Sequence, residues 1–371
     1  MHSLRPWLLA CLAATTCAGA AAALQERPSS PVPLRIGGAP VGNATQDLRY
    51  ALTAAGFETF KAYLTQSARR AGVSERTIEA SVPTLRLNQR AIELDRAQKP
   101  SPATPNNNAL RLAPYLSQHV TPSLISRGRA RYYHQWPNLV RIHQRFGVDS
   151  AVIMAIYGKE TSYGAVTGGF DLLDALASLA YEGRRRQLFE TEFVSALKLI
   201  DQGVPRARLR GSYAGATGFP QFMPSVVLTR RADGDGDGQA DIWANEADAL
   251  ASIANYLRAA GWRTGLPWGT AVRVPSSLNR SAIQPTDVPA NCPAVFRRHS
   301  RELTVAKWRE LGVEITGTRL PDHELVRLFE PGGPTGSGYL LTPNYRAILA
   351  YNCSNFYAMS VALLADAIAR R

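Results

Sequence analysis

Glu160 closes an unbroken apolar run, Ala151 to Tyr157, from which only Gly158 and Lys159 separate it. Asp149 or Ser150 can cap a helix through this run, and its lack of polar positions predicts burial nearly all round. Glu160 lies four residues after Ile156 and seven after Ile153, so helical geometry stacks it on their stripe. A carboxylate in that setting is costly to ionise, and burial raises its pKa. Lys159, the adjacent residue, faces another side of the helix and is a poor partner. Thr161 to Gly164 then stop the helix at a glycine, leaving Glu160 in the last turn beside a loop. Helix geometry alone leaves two readings open. One is a structural Glu bonded to backbone or Arg; the other is a general acid held protonated by an apolar site.

Two further segments carry chemistry. Residues 211–225, G-S-Y-A-G-A-T-G-F-P-Q-F-M-P-S, hold no charge but many Gly and aromatic residues, which suits close approach to a neutral ring-shaped ligand. Gln221 is the strong side-chain hydrogen-bonding group there and Ser212 a weaker one; a packed connecting loop is the alternative. Residues 232–243, A-D-G-D-G-D-G-Q-A-D-I-W, put Asp233, Asp235 and Asp237 at alternate positions, followed by Gly238, Gln239 and Asp241. These are calcium-loop positions, with Gln239 offering its backbone carbonyl. Ala244 stands where the ordinary loop has a bidentate Glu, so the loop is not a standard EF-hand. The alternative is an acidic turn without metal, in which clustered carboxylates repel one another.

The elements that must position these groups sit in a chain of 371 residues, long enough for a large core with accessory units. A hydrophobic fraction of 45% with 19% charged residues excludes a disordered or fibrous protein, and no internal apolar run reaches the roughly 20 residues of a membrane span. A net charge of +13 points to a polyanionic partner: nucleic acid, an anionic membrane or an acidic glycan. The first residues read as a cleaved export signal, with Arg5, an apolar stretch from Trp7 to Ala14, and the small-residue site Ala18-Gly19-Ala20. Leu8-Leu9-Ala10 ahead of Cys11 leaves a membrane lipoprotein as the lesser alternative. Export weakens the nucleic-acid reading, and it favours a disulfide between Cys292 and Cys353 over two free thiols. Neither cysteine has zinc-ligand spacing with His, and no Gly-rich phosphate loop follows a strand.

Leu48 to Ala97 and Tyr115 to Phe146 read as helical, with K-P-S-P-A-T-P-N-N-N (99–108) as a connector. After Gly261 the segments T-A-V-R-V-P, E-L-T-V-A, G-V-E-I-T and E-L-V-R-L-F alternate as short strands, and Phe356 to Ile368 returns to a helix. The expected fold is mainly α with a small strand-rich C-terminal insertion.

Several long motifs in one order resemble the B family of lytic murein transglycosylases, which cleave bacterial peptidoglycan on a lysozyme-like fold. They are G-K-E-T-S-Y-G (158–164), L-D-A-L-A-S-L-A (173–180), the 211–225 segment, D-G-D-G-D-G-Q-A-D-I-W (233–243), A-N-Y-L (254–257) and Y-N-C-S-N-F-Y-A-M (351–359). P-Y-L-S-Q-H-V-T-P-S with R-G-R (114–129) also matches. The resemblance implies that Glu160 is the catalytic acid and that Arg185 and Arg186 line the glycan groove, where residues alone would make Arg184 to Arg186 a solvated helix face. It places Ser212 and Gln221 in the groove, and Tyr256, Tyr351, Tyr357 and, more loosely, Tyr115 around the acid. It adds Asp248 to the calcium set. Two positions depart from the family pattern: Arg184 stands for the usual Pro, and Thr217 for the common Met.

The implied organisation is a signal peptide (1–20), a linker (21–45), an N-terminal helical region (46–110), and a lysozyme-like core (111–262) with the Asp-rich loop at 233–248. A strand-rich subdomain (263–345) and a C-terminal helix returning to the core (346–371) follow. The expected activity is lytic cleavage of peptidoglycan to 1,6-anhydromuramoyl products; a lysozyme-type hydrolase, a non-catalytic glycan-binding or scaffold protein and a calcium-responsive protein are the competing classes. No second catalytic carboxylate is evident, since Asp174 lies off the apolar stripe of its helix near Asp171. Calcium is the expected cofactor, with no organic one. Glycan strands are the expected partner, other cell-wall enzymes are further candidates, and the protein is expected to be a periplasmic monomer.

Overall fold

The computed structural model describes residues 53–98 and 109–370. The export signal, the linker and the 99–108 connector therefore lie outside the described residues. Three helices come first: α1 (Ala54–Arg70), α2 (Glu75–Ser81) and α3 (Gln89–Ala97). Each opens on a side-chain cap, from Thr53, Ser74 and Asn88 in turn. Then come α4 (Ala109–His119), α5 (Pro122–His134) and α6 (Trp136–Phe146), so the stretch read as two helices holds three.

The central helix is α7 (Ser150–Thr161), and every residue from Ala151 to Gly158 is buried. Asp149 caps it, its carboxylate accepting from the Ala151 and Val152 amides at 2.8 and 3.2 Å. Ser162, Tyr163 and Gly164 end it with three successive positive φ values (51°, 63° and 83°), which turn the chain sharply beside Glu160. At Gly158 a Cβ would sit 2.5 Å from the Tyr163 ring, so the residue two before Glu160 has to be glycine for the turn to fold back on the helix.

Beside α7 packs α11 (Glu246–Ala259), while α8 (Leu172–Glu182) packs on α9 (Arg186–Asp201) and α10 (Pro224–Arg230) bridges α9 and α11. A two-stranded ribbon, β1 (Phe170–Asp171) with β2 (Arg210–Gly211), closes the loop side. The helices α1–α3 share one continuous apolar core with α7–α11.

The rest is a five-stranded antiparallel sheet in the order β4-β6-β7-β3-β5, from β3 (Gly269–Arg273), β4 (Leu303–Thr304), β5 (Glu314–Ile315), β6 (Leu325–Phe329) and β7 (Ser337–Leu341). Four of these fall in the segments read as strands; β7 follows a Gly-rich stretch that reads as turn. Short helices α12 (Pro293–Phe296) and α13 (Val305–Glu310) cross the sheet region, which has its own core around Trp308, Val326 and Leu340. The chain then returns to the main core as two helices, α14 (Pro343–Tyr351) and α15 (Asn355–Ala369), which meet at 116°. Cys292 and Cys353 form a disulfide across 61 positions, tying the start of α12 to this corner. Among the described residues no single helix is long and apolar enough to cross a membrane.

Candidate active site

The α14–α15 corner and the 211–225 segment converge on the end of α7. Glu160, Gln221, Phe222, Met223, Val226, Tyr256, Tyr351 and Asn352 line a narrow cleft. Glu160 is half-buried there, and Tyr357 donates its hydroxyl to Glu160 Oε1 at 2.6 Å. Burial pushes the Glu160 carboxyl up to about 7; the Tyr357 hydrogen bond and the Lys159 charge oppose that rise without cancelling it. Within this lining Glu160 is the one carboxylate.

The aromatic wall is fixed by backbone acceptors. Tyr256 donates to the Ala350 carbonyl and Tyr351 to the Pro220 carbonyl, both at 2.6 Å. The two rings meet edge to face at 4.9 Å, and Tyr351 runs nearly parallel to Tyr357. Gln221 adopts φ 51° and turns its amide inward, where Nε2 donates to the Gly218 and Thr167 carbonyls at 2.8 and 3.2 Å. Thr161, the residue after Glu160, links α7 to the same segment: its hydroxyl donates to the Phe219 carbonyl and accepts from the Gly164 amide. From beneath, the buried Glu192 accepts from both the amide and the hydroxyl of Ser225. Ser212 accepts from the Ala216 amide at 3.0 Å and shapes the start of the segment; it is not in the cleft lining.

Tyr115 borders Glu160 from α4. It stacks on Phe356, the neighbour of Tyr357, at 5.3 Å, and feels the Glu160 charge. Arg185 and Arg186 lie apart from the cleft lining. The guanidinium of Arg185 pairs with Asp95 of α3 and packs over Phe189, and Arg186 lies over Phe60 of α1. Arg184, in place of the family's Pro, pairs with the same buried Asp95 and with its carbonyl. Thr217, in place of Met, accepts the Trp243 indole N–H at 2.8 Å and donates to the Arg210 carbonyl at 2.6 Å. Neither Asp171 nor Asp174 reaches the cleft, because both pair with Arg206, and Asp171 caps α8.

Sequence reasoning missed Phe222, Met223, Val226 and Asn352 in the lining, although all four lie in or beside the quoted motifs. It also missed Glu192 and Asp95, whose partners are distant in sequence and leave no local signal. A wider concavity on the small sheet, bordered by Arg273, Thr335 and Ser337, has the exposed Glu314, which pairs with Arg273, as the one acid in its lining. It has no buried acid, and chemistry belongs to the Glu160 cleft.

In the Asp-rich loop, three of the expected ligands converge. Asp233, Asp235 and Asp248 bring carboxylate oxygens within 4.8 Å of one another. Asp241 instead accepts from the Trp243 and Ala244 amides and pairs with Arg208. Asp237 accepts from the Gln239 amide and stands outside the trio. Gly236 and Gly238 donate to Asp233, whose carboxyl they hold below the usual range. Gly234 and Asp241 donate to the buried Asp248, which burial and the two neighbouring carboxylates push up. Three converging oxygen donors fit a hard divalent cation such as calcium.

The chain is similar in sequence and fold to known proteins. A family model described as the transglycosylase SLT domain matches residues 56–366. The chain is 31% identical to the membrane-bound lytic murein transglycosylase B of Escherichia coli over 271 residues, which is 72% of this chain and 69% of that protein. Among solved structures, SltB3 of Pseudomonas aeruginosa in complex with NAG-anhNAM-pentapeptide superposes with a TM-score of 0.73 at 34% identity, covering 84% of this chain and 79% of that one. The lytic transglycosylase Slt35 of Escherichia coli in complex with calcium gives a TM-score of 0.65 at 26% identity, covering 85% and 92%.

Proposed function

The chain belongs to the transglycosylase SLT domain family and is a peptidoglycan lytic transglycosylase on a lysozyme-like fold, and we propose that Glu160 alone serves its reaction, first as acid and then as base. The observation that carries this reading is a cleft whose lining holds one carboxylate, with its pKa near 7. Ordinary glycosidases need a second carboxylate as nucleophile or base. Here the substrate supplies the nucleophile. Protonated Glu160 gives its proton to the oxygen linking N-acetylmuramic acid to N-acetylglucosamine as the C1–O bond breaks. The resulting carboxylate takes the proton of the muramoyl C6 hydroxyl, whose oxygen bonds to C1. The products are a 1,6-anhydromuramoyl end and a free N-acetylglucosamine end; no water is consumed and Glu160 ends protonated. A pKa near neutrality keeps both forms accessible.

Gln221, Tyr256 and Tyr351 would hold the reacting sugars, Tyr357 would orient Glu160, and Tyr115 would flank the strand. Ser212 would act through the segment it shapes. Arg185 is held by Asp95, so the exposed Arg186 is the better placed of the pair to meet anionic groups of the strand. Asp233, Asp235 and Asp248 would bind calcium, fixing the loop between the Gln221 segment and the Tyr256 helix; calcium supplies charge neutralisation there and no chemistry. Residues 1–20 would direct export to the periplasm, where glycan strands are the partner.

Digestion of purified cell wall followed by mass analysis tests the mechanism. Products lighter by one water than lysozyme products are expected, and Glu160→Gln should yield none. Reducing-end muramic acid as the main product would show hydrolysis instead, and no product from the parent would leave a binding protein.

A further inference from the structure

We propose that Lys159 is a carboxylate-binding position beside the catalytic acid, and that it takes a free carboxylate of the peptide stem borne by N-acetylmuramic acid in the strand being cut. The inference rests on the lytic reading above and names a substrate feature that the reading does not contain.

Lys159 occupies the last turn of α7, half-buried, with Nζ 5.5 Å from the centre of the Tyr115 ring. On α4, His119 lies 3.8 Å from the same ring, 11° from parallel. Contact with an aromatic face attracts an ammonium but does not neutralise it. Among the described residues this ammonium has no hydrogen bond and no ion pair, and burial pulls its pKa down to about 8. No compensation comes from His119, whose own protonation the Lys159 charge opposes. Glu160 is the nearest acid, and it holds a proton for the leaving oxygen. While Glu160, whose charge would otherwise favour the ammonium, is protonated, Lys159 is a half-buried cation without an anion, which is costly.

The substrate can supply that charge. A bond protonated by Glu160 joins two sugars, so the polymer extends to both sides of it. Gln221, Tyr256, Tyr351 and Asn352 line the cleft with Glu160; Lys159, the residue before it, lies outside that lining and meets Tyr115 of α4. Every second sugar carries a peptide with free carboxylates, so the N-acetylmuramic acid on one side of the cleaved bond brings a stem directly beside the acid. Charge-assisted hydrogen bonding to an ammonium is among the stronger polar contacts.

The test compares kcat/KM on three forms of purified glycan strand: stems with free carboxylates, stems whose carboxylates have been converted to amides, and strands stripped of stems. The parent should prefer free carboxylates over amides about tenfold, and the preference should shrink as salt rises. Lys159→Met should remove the preference and Lys159→Arg should keep most of it, with melting temperatures confirming that both fold. The amide substrates test the parent without any mutation. Equal rates of the parent on free and amidated stems would overturn the inference alone. So would Lys159→Met losing the same factor on all three strands, since that would mean Lys159 acts on Glu160 or on the fold. A parent that cleaves none of the three would overturn the lytic reading, and this inference with it.

Discussion

Glu160 and Asp233 are both carboxylates at the edge of the same helical core, and their surroundings send them in opposite directions. The first is set among apolar and aromatic groups with the Tyr357 hydroxyl as donor, and keeps its proton to about pH 7. The second receives the Gly236 and Gly238 amides at 2.6 and 2.9 Å and stays ionised below the usual range. Asp248 stands between them: more deeply buried than the half-buried Glu160, it accepts amides like Asp233 and lies beside two other carboxylates. What differs is how burial is compensated. A carboxyl that must donate a proton is left short of donors, whereas carboxylates that gather together call for a cation.

The largest expected departure from symmetry between the two regions is in stability. Glu160 holds its proton more tightly folded (about 7) than unfolded (4.5), so the native state loses stability as pH rises between those values, and the full cost stands above pH 7. At about 1.4 kcal/mol per pH unit this is roughly 3 kcal/mol, a ceiling because the carboxylate opens on a cleft that water enters. Glu160→Gln cannot ionise and still accepts from Tyr357. It should match the parent in denaturant unfolding near pH 4 and be more stable by up to about 3 kcal/mol at pH 8. A variant no more stable at pH 8 would mean that the acid is not strained by ionising.

The Asp trio should behave in the reverse sense, as a region that gains by being charged. Calcium at a hundredfold excess over its Kd should stabilise the protein by about 2.7 kcal/mol, a few degrees in Tm, and excess chelator should remove that gain. Asp248→Asn should abolish the calcium response, and Asp237→Asn, outside the trio, should leave it. An unchanged Tm on chelation would reduce the loop to an acidic turn held by its own amides.

Legibility followed the range of the interactions. The buried helix ending in Glu160 and the glycine stop after it could be read because both are local: an apolar run and a turn. Asp233 and Asp235 could be read from alternate spacing, but the loop geometry that turns Asp237 to the Gln239 amide and Asp241 to Arg208 depends on contacts the spacing does not contain. Arg184 and Arg185 looked like a solvated face until Asp95, about ninety positions earlier, provided a buried anion. In the same way β7 becomes a strand because β3 and β6 offer edges on both sides, which its Gly-rich approach does not announce.

The finest test of the comparison is one oxygen. Tyr357 is the donor that holds the Glu160 pKa below what burial alone would make it. Tyr357→Phe removes that donor and leaves the ring between α15 and Tyr351. The ionised form of Glu160 then loses its hydrogen bond while the protonated form loses little, so the pKa moves further up. The basic limb of the kcat/KM profile, expected near pH 7 in the parent, should move up by about one pH unit, equivalent to about 1.4 kcal/mol of lost differential stabilisation. The height of the profile reports positioning and the place of the limb reports the hydrogen bond, so the two effects separate in a single titration. A limb that stays in place or moves down would mean that Tyr357 does not control the ionisation of Glu160. The corresponding change in the loop cannot be made with a donor side chain, because Asp233 is held by backbone amides.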